Sequence, residues 1–304
     1  MNILRLLPVV IVAALAAFAS GPAWAQELEP RAYRTLPAGL DFLVVAYTHS
    51  SGNVVVDPSV PIEDLQAEIQ SASLAWLHSF GIAGRSSSLT VTVPYVHMSV
   101  TGLLQGQFRQ GSRSDWADSR VRLAINLAGG PALTPQEFAR FKQKRTVGAS
   151  LSVVMPTGQY SPSYLINFGA NRWGFKPEVG YSSVKGKWIF EFAAGVWLFT
   201  SNDSGMGGTT VRQDPIASLQ AHLSYNLPRG IWLGADANYF EGGRTTIGGQ
   251  AGSEPQRNSR VGLIMSLPLR PRHSLKIAAH TGAFTRVGAD FDIGTIAYQY
   301  QWGH

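Results

Sequence analysis

Residues 214–225 read DPIASLQAHLSY. Pro215, Ala217, Leu219, Ala221, Leu223 and Tyr225 share one parity. Asp214, Ser218, Gln220, His222 and Ser224 occupy the other. Successive side chains of a strand point to opposite faces, so this spacing predicts a strand with one apolar and one polar face. A helix would spread the same polar groups around its circumference.

The pattern recurs on both sides of this stretch. Trp188, Phe190, Phe192, Ala194, Val196 and Leu198 form an apolar face, with Glu191, Gly195 and Trp197 between them. Ile231, Leu233, Ala235, Ala237 and Tyr239 alternate with Gly234, Asp236 and Asn238. Val261, Leu263, Met265 and Leu267 alternate with Arg260, Gly262 and Ser266, and Leu275, Ile277 and Ala279 with Lys276 and His280. Upstream, Val121, Leu123, Ile125 and Leu127 alternate with Arg120, Arg122 and Asn126, and residues 147–155 repeat the scheme. Repeated segments of about ten alternating residues are the signature of a lipid-facing β-barrel wall.

Composition agrees. Charged residues make up only 14% of the 304, against about 25% in soluble domains, while hydrophobic residues reach 45% and glycine 32 positions. Residues 1–25 pair Arg5 with a short apolar run and an Ala23-Trp24-Ala25 cleavage site, which predicts an export signal. No cysteine follows, so an exported chain must rely on pairing and packing. The formal charge is +6, with its basic residues scattered, which argues against a nucleic-acid partner and for a mild preference for anions or anionic head groups.

About twelve strands are predicted, beginning near residues 39, 65, 86, 115, 145, 173, 187, 212, 230, 257, 274 and 291. The fold class is therefore all-β: a closed antiparallel transmembrane barrel over 39–304. It is preceded by a periplasmic segment, 26–38, placed to plug the lumen with Arg31, Tyr33 and Arg34. An even count puts both termini on the periplasmic side. Connections at 185–186, 226–230 and 269–273 are short, as periplasmic turns are. Those at 50–64, 101–114, 158–172, 201–211 and 242–256 are longer and read as external loops. The facing of the first three strands stays open, because both parities are apolar around Phe42–Tyr47 and Leu74–Leu77. Pro94, Pro177 and Pro215 fall inside predicted strands and are read as bulges.

The periplasmic connection 129–144 is long and carries a capping box, Thr134 to Glu137, with Pro135 at the first helical position. It predicts a short helix clamping the barrel bottom, or docking a partner. Tyr298, Tyr300 and Trp302 close the chain as an inner aromatic girdle.

If the apolar faces meet lipid, the other faces line the lumen. Candidate lumen and solute-binding residues are Arg120, Arg122, Glu191, Asp214, His222, Asp236 and Asn238, with Arg260, Lys276 and His280 further on. The stretch 156–180 adds Asn171 and Arg172 at the outer rim, and Lys176 and Glu178 stepping down the inner face. Turn positions predict Gly180 opposite Glu191, Gln220 opposite Asp236, His222 opposite Gly234, Ser266 opposite Lys276 and Gly262 opposite His280. Motifs for serine hydrolases, metalloproteases, P-loops and dinucleotide folds are missing from the sequence. His222 or His280 with Ser218, Ser224 or Ser266 could imitate a nucleophile and base, but no carboxylate is clearly placed to orient either His. No cofactor or metal site is expected.

Specific blocks carry a family resemblance. Arg31-Ala32-Tyr33 with Leu36-Pro37-Ala38-Gly39, Pro156-Thr157-Gly158-Gln159-Tyr160 and Asn171-Arg172-Trp173 with Lys176-Pro177-Glu178 are the densest. Gln213-Asp214-Pro215, Gly242-Gly243-Arg244-Thr245 and Asn258-Ser259-Arg260-Val261-Gly262 continue them. In this order, over nearly the whole exported chain, they resemble the transporter-like outer-membrane barrels of the meta-pathway of phenol degradation family. The resemblance implies an outer-membrane channel or transporter for small solutes, aromatic or hydrophobic compounds feeding catabolism among them. Its partners would be outer-membrane lipid and lipopolysaccharide, the barrel assembly machinery and the solute. A non-transporting structural or adhesive barrel is the alternative.

Overall fold

The computed structural model describes residues 30–55, 62–104, 106–164, 167–252 and 255–303. The predicted export signal and residues 26–29 lie outside them. In chain order the strands are β1 (Leu40–Val55), β2 (Ile62–Ile82), β3 (Arg85–Leu104), β4 (Gln107–Trp116), β5 (Ser119–Ala128), β6 (Arg145–Met155), β7 (Gly174–Lys185) and β8 (Trp188–Phe199). There follow β9 (Val211–Gln213), β10 (Ile216–Asn226), β11 (Trp232–Gly242), β12 (Thr245–Ile247), β13 (Gln250–Ala251), β14 (Gln256–Arg270), β15 (His273–Thr285) and β16 (Gly288–Gly303).

Every neighbour in the main sheet is antiparallel, and β1 pairs with both β2 and β16, so the sheet closes. Strands β4 and β5 both pair with β3, on its C-terminal and N-terminal halves, and together fill one place in the ring. The wall thus has the twelve strand positions that the periodicity predicted. Short β9, β12 and β13 form a separate sheet in the external loops.

The outward face is the apolar one. Val45, Leu74, Leu123, Val179, Phe192, Leu219, Leu263 and Ile296 are all exposed, as a wall in hydrocarbon requires. Aromatic residues mark the two ends of this belt. Trp188 and Tyr225 pack 4.6 Å apart, and Tyr300 stacks on Trp302, near the short turns. Tyr95 meets Trp116, and Trp173 stacks on Phe175, at the opposite end. An exposed apolar wall between two girdles, closed on itself, is an outer-membrane β-barrel.

Several expectations are corrected. Of the predicted loops at 50–64 and 101–114, residues 56–61 and 105 lie outside the described residues and nearly all the rest is strand: Asn53 still pairs with Gln66, and Leu104 with Gln107. Long polar strand extensions look like loops when alternation is read from apolar residues alone. None of the three prolines forms the expected bulge in its own strand. Pro215 lies just before β10. Pro177 keeps register with β6 and β8, and only the β8 pairs at 176 and 177 are missing. Pro94 stays within β3, and the irregularity falls on the neighbouring wall position, where β4 gives way to β5 at Ala117 and Asp118. Ala117 N–H still donates to the Pro94 carbonyl at 3.0 Å.

The interior has two chemistries. Strands β5 to β15 turn charged and amide groups inward. Strands β16, β1, β2 and β3 turn small, hydroxyl and apolar groups inward, which settles their facing: Val45, Tyr47 and Leu74 point out, and Phe42, Val54 and Ala67 point in. Near the external end Val54, Ala67, Met98, Ala289 and Phe291 form a packed core with Ala117 and Phe168, the last contributed by the loop before β7.

At the periplasmic end the capping box forms as predicted. Thr134 Oγ1 accepts from Glu137 N–H, Glu137 Oε2 accepts from Thr134 N–H at 2.8 Å, and the helix spans Pro135–Phe138. Its connection reaches the N-terminal segment: Leu133 accepts from Ala38 N–H at 2.8 Å, and Gln143 Oε1 from Thr35 N–H at 3.2 Å.

Candidate functional site in the barrel lumen

A twelve-strand barrel is too wide for wall side chains alone to fill. Residues 30–39 enter this space. They start beside β8, β10 and β11, cross β6 and β7, and leave beside β2. Arg31 N–H donates to Glu191 Oε2 at 2.6 Å, its guanidinium donates to Asn226 Oδ1 at 2.9 Å, and that group lies 4.0 Å above the Trp232 ring. At the far end Ser79 Oγ donates to the Pro37 carbonyl at 2.6 Å, and Gly39 N–H donates to the Ser79 carbonyl at 2.7 Å.

Tyr33 sits at the middle and is 4% exposed. Its ring lies against Gly148 of β6 and Gly180 of β7, which are cross-strand partners. A methyl on either glycine would overlap the ring. This close approach explains why two glycines face each other inside an otherwise polar wall.

Glu178 is the hub beneath that ring. Its Oε1 accepts from the Tyr33 hydroxyl at 2.9 Å, and its Oε2 from Gln220 Nε2 at 3.0 Å and Lys176 Nζ at 2.6 Å. Arg122 stands 3.9 Å away, and Tyr33 also meets Ser150 Oγ at 3.1 Å. Three strands, β5, β7 and β10, and the segment therefore converge on one carboxylate. Such a buried charge is tolerable only with partners on both oxygens. The free space here is about 20 Å³, enough for little beyond a water. Burial first, and Glu178 second, push the Tyr33 hydroxyl pKa upward, so it stays a donor at neutral pH. Burial, then the charge of Arg34, pushes Arg31 down to about 9, with Glu191 opposing, so it keeps its charge at neutral pH.

A second cluster lies deeper on β10, β11 and β15. His222 Nδ1 is 2.6 Å from Asp236 Oδ1, and His280 Nε2 is 3.7 Å from Asp236 Oδ2. His222 sits directly opposite Asp236 and also opposite Glu191. The expected pairing of His222 with Gly234 is two residues off, because the five-residue β10–β11 connection, 227–231, is centred on Arg229 and not on Pro228, with Arg229 and Gly230 at positive φ. A carboxylate does orient His222, contrary to the sequence reading. The β7–β8 turn falls on Gly186 and Lys187, so Gly180 faces Ala193 and Glu191 faces Ser182. Ser266 opposite Lys276 and Gly262 opposite His280 are as predicted.

Of the remaining candidates, Asn238 and Arg260 are buried and face each other across β11 and β14. Arg120 and Lys276 are half-buried on inward parities. Asp214 is not in the lumen: it is exposed, before β10, with its N–H donating to the Arg244 carbonyl. The strand begins two residues later than its alternation suggested. Asn171 and Arg172 sit at the outer rim. Asn171 donates to Asn202 Oδ1 at 2.9 Å. Arg172 is buried, 4.6 Å over the Phe199 ring, and hydrogen-bonded to Gln213. Burial lowers its pKa to about 10 while Asp118 opposes the shift.

The sequence reading missed Asp118. It is 1% exposed, and its carboxylate accepts from Gly158 N–H at 2.9 Å and Ala170 N–H at 2.8 Å. It thereby pins the loop before β7 to the break between β4 and β5. The sequence offered little signal beyond an aspartate interrupting the alternation between Trp116 and Arg120.

Residues 47–298 match the family model described as "Putative MetA-pathway of phenol degradation". The chain belongs to this family. Its fold resembles that of an outer membrane channel from Pseudomonas putida F1, at 20% identity, covering 91% of this chain and 100% of that one, with a TM-score of 0.78. The transport unit of the autotransporter AIDA-I from Escherichia coli aligns at 10% identity over 95% and 98% of the two chains, TM-score 0.50. The CymD monoaromatic hydrocarbon channel aligns at 10% identity over 88% and 90%, TM-score 0.45. No curated protein matches in sequence.

Proposed function

We propose that this protein is a non-enzymatic outer-membrane channel for small solutes, aromatic or hydrophobic compounds feeding catabolism among them. In this reading the N-terminal segment narrows the lumen as a plug. The observation that carries it is the convergence of Tyr33, Lys176, Gln220 and Arg122 on Glu178 inside a closed barrel. A purely structural wall has no need of a segment from outside the sheet docked on two bare glycines. The family's link to phenol degradation and the channel fold of the Pseudomonas relative support the same reading. Lys176, Glu178, Arg122, Glu191, His222, Asp236 and His280 are the residues proposed to shape the passage, with Arg172 bracing its mouth. Lipid, lipopolysaccharide and the barrel assembly machinery are its proposed partners.

The test is planar-bilayer conductance and liposome uptake of the refolded chain, with and without residues 26–38. Channels that enlarge on deletion support the reading. No conductance and no uptake from either form removes it and leaves a structural or adhesive barrel. Deleting 201–211 or 242–256 would then abolish surface binding without touching permeability.

A further inference from the structure

The segment fills only one side of the lumen. Between it and the wall of β14, β15, β16 and β1 a cavity of about 250 Å³ remains. Four cations border it: Arg31 and Arg34 from the segment, Arg122 from β5 and Lys276 from β15. Among the described residues that line it there is no Asp or Glu. The two nearby carboxylates, Glu178 and Glu191, line the small constriction on the other side of the segment. Glu191 there accepts the Arg31 backbone N–H, and Glu178 accepts Tyr33, Lys176 and Gln220, with Arg122 at 3.9 Å between the two spaces. The facing wall is of another kind. Val44, Leu77, Ala297 and the indole of Trp232 present apolar surface, relieved by hydroxyls such as Ser266 and Ser274.

A cation entering this space meets like charge at close range, which costs free energy wherever water is scarce. A wholly apolar molecule gives the positive side of the cavity no opposite charge. A sugar leaves the apolar wall without a partner. An anion with an apolar body satisfies both walls at once, and guanidinium groups are suited to carboxylates.

We propose that this cavity binds and passes a small organic monocarboxylate with an apolar body, of the size of benzoate or a short fatty acid. The inference rests on the channel reading and names the solute class for it. Charge enters as selectivity: clefts lined by one sign of charge concentrate the opposite ion.

The experiment uses the full exported chain in planar bilayers and in liposomes. Reversal potentials in a potassium chloride gradient are expected to be anion-selective. Measured as entry above that into protein-free liposomes, benzoate is expected to enter faster than benzyl alcohol or benzylammonium, which have the same ring. Lys276→Gln is expected to cut the preference for benzoate over benzyl alcohol by about fivefold, and Lys276→Arg to retain it. Heat-modifiable migration on gels confirms that each variant forms a barrel. Arg34→Gln is a second variant with the same expectation, should Lys276→Gln fail that control. Cation selectivity, or equal entry of benzoate and benzyl alcohol, overturns the proposal while leaving the channel intact. No conductance for any ion overturns both.

Discussion

The Tyr33 hydroxyl donates to Glu178 at 2.9 Å across 145 residues of sequence. The bond ties the N-terminal segment to the most heavily partnered carboxylate among the described residues of the lumen. Hydrogen bonds to charged groups are worth roughly 1.5–3 kcal/mol. Tyr33→Phe therefore lowers the docked fraction of the segment by about 10- to 100-fold relative to the undocked one. Single-channel recording is expected to show longer or larger openings. Unchanged currents would mean that other contacts hold the segment.

Gly180→Ala tests the same docking without touching a polar group. The added methyl overlaps the Tyr33 ring, so the ring must leave its floor. Conductance is expected to rise as it does for Tyr33→Phe, with the barrel still resistant to detergent. Gly294→Ala, where a methyl meets nothing, is the control.

Tyr33 also predicts an alkaline transition. Its pKa is raised above the ordinary 10.0 when docked, so docking is fully supported below that value and weakens as pH climbs above it. The undocked phenol ionises first, and its negative charge disfavours return to Glu178. Currents are expected to rise above about pH 10 in the wild type. Tyr33→Phe should lose this step; if it keeps it, another group is responsible.

Asp236 has no exposed side-chain surface and lies between His222 and His280. Removing one partner of a buried pair typically costs about 3–5 kcal/mol. Asp236→Asn is expected to lower the free energy of unfolding from vesicles in urea by that much. His222→Ala with His280→Ala should leave ester and lipid substrates unturned, as in the parent. A turnover present in the parent and lost in the variant would instead mark an enzyme.

At the external end Phe168 anchors its loop in the core of Val54, Met98 and Phe291. Large-to-small changes of this kind cost about 3–5 kcal/mol. Phe168→Ala is expected to speed amide exchange across 157–172 while β7 stays protected. Equal exchange in both proteins would show that Asp118 alone suffices to hold the loop.

Much of this was legible before any coordinates. Two-residue periodicity gave the wall, the ring of twelve and the inward parity of its strands, though not of Asp214, because lipid on one side and water on the other force alternation. Pairings were less legible. Turn position decides them, and the five-residue connection was centred on Pro228 rather than Arg229, one residue early, so His222 was placed opposite Gly234 rather than Asp236. An error of two residues keeps every face correct and changes every partner. The facing of the first strands could not be read, because their inner face packs an apolar core and is as greasy as the outer one. Tyr33 was placed in a plug segment, but its glycine floor depends on Gly148 facing Gly180, which only register reveals.

The barrel seam carries a consequence for how the molecule is built. Leu40, the first residue of β1, pairs with Gly303 at the end of β16, and the ladder runs from there through sixteen pairs to Val55 and Gly288. Residues 30–39 attach directly to that first strand and already lie within the ring. Contacts this distant in sequence form late, because the intervening chain must be ordered first. The segment is therefore tethered to the seam itself, a keystone hung from the stone beside the joint, and its docking on β6, β7 and β8 is coupled to the strand that closes the ring. Mutations that free the segment should slow maturation of the barrel as well as alter its traffic.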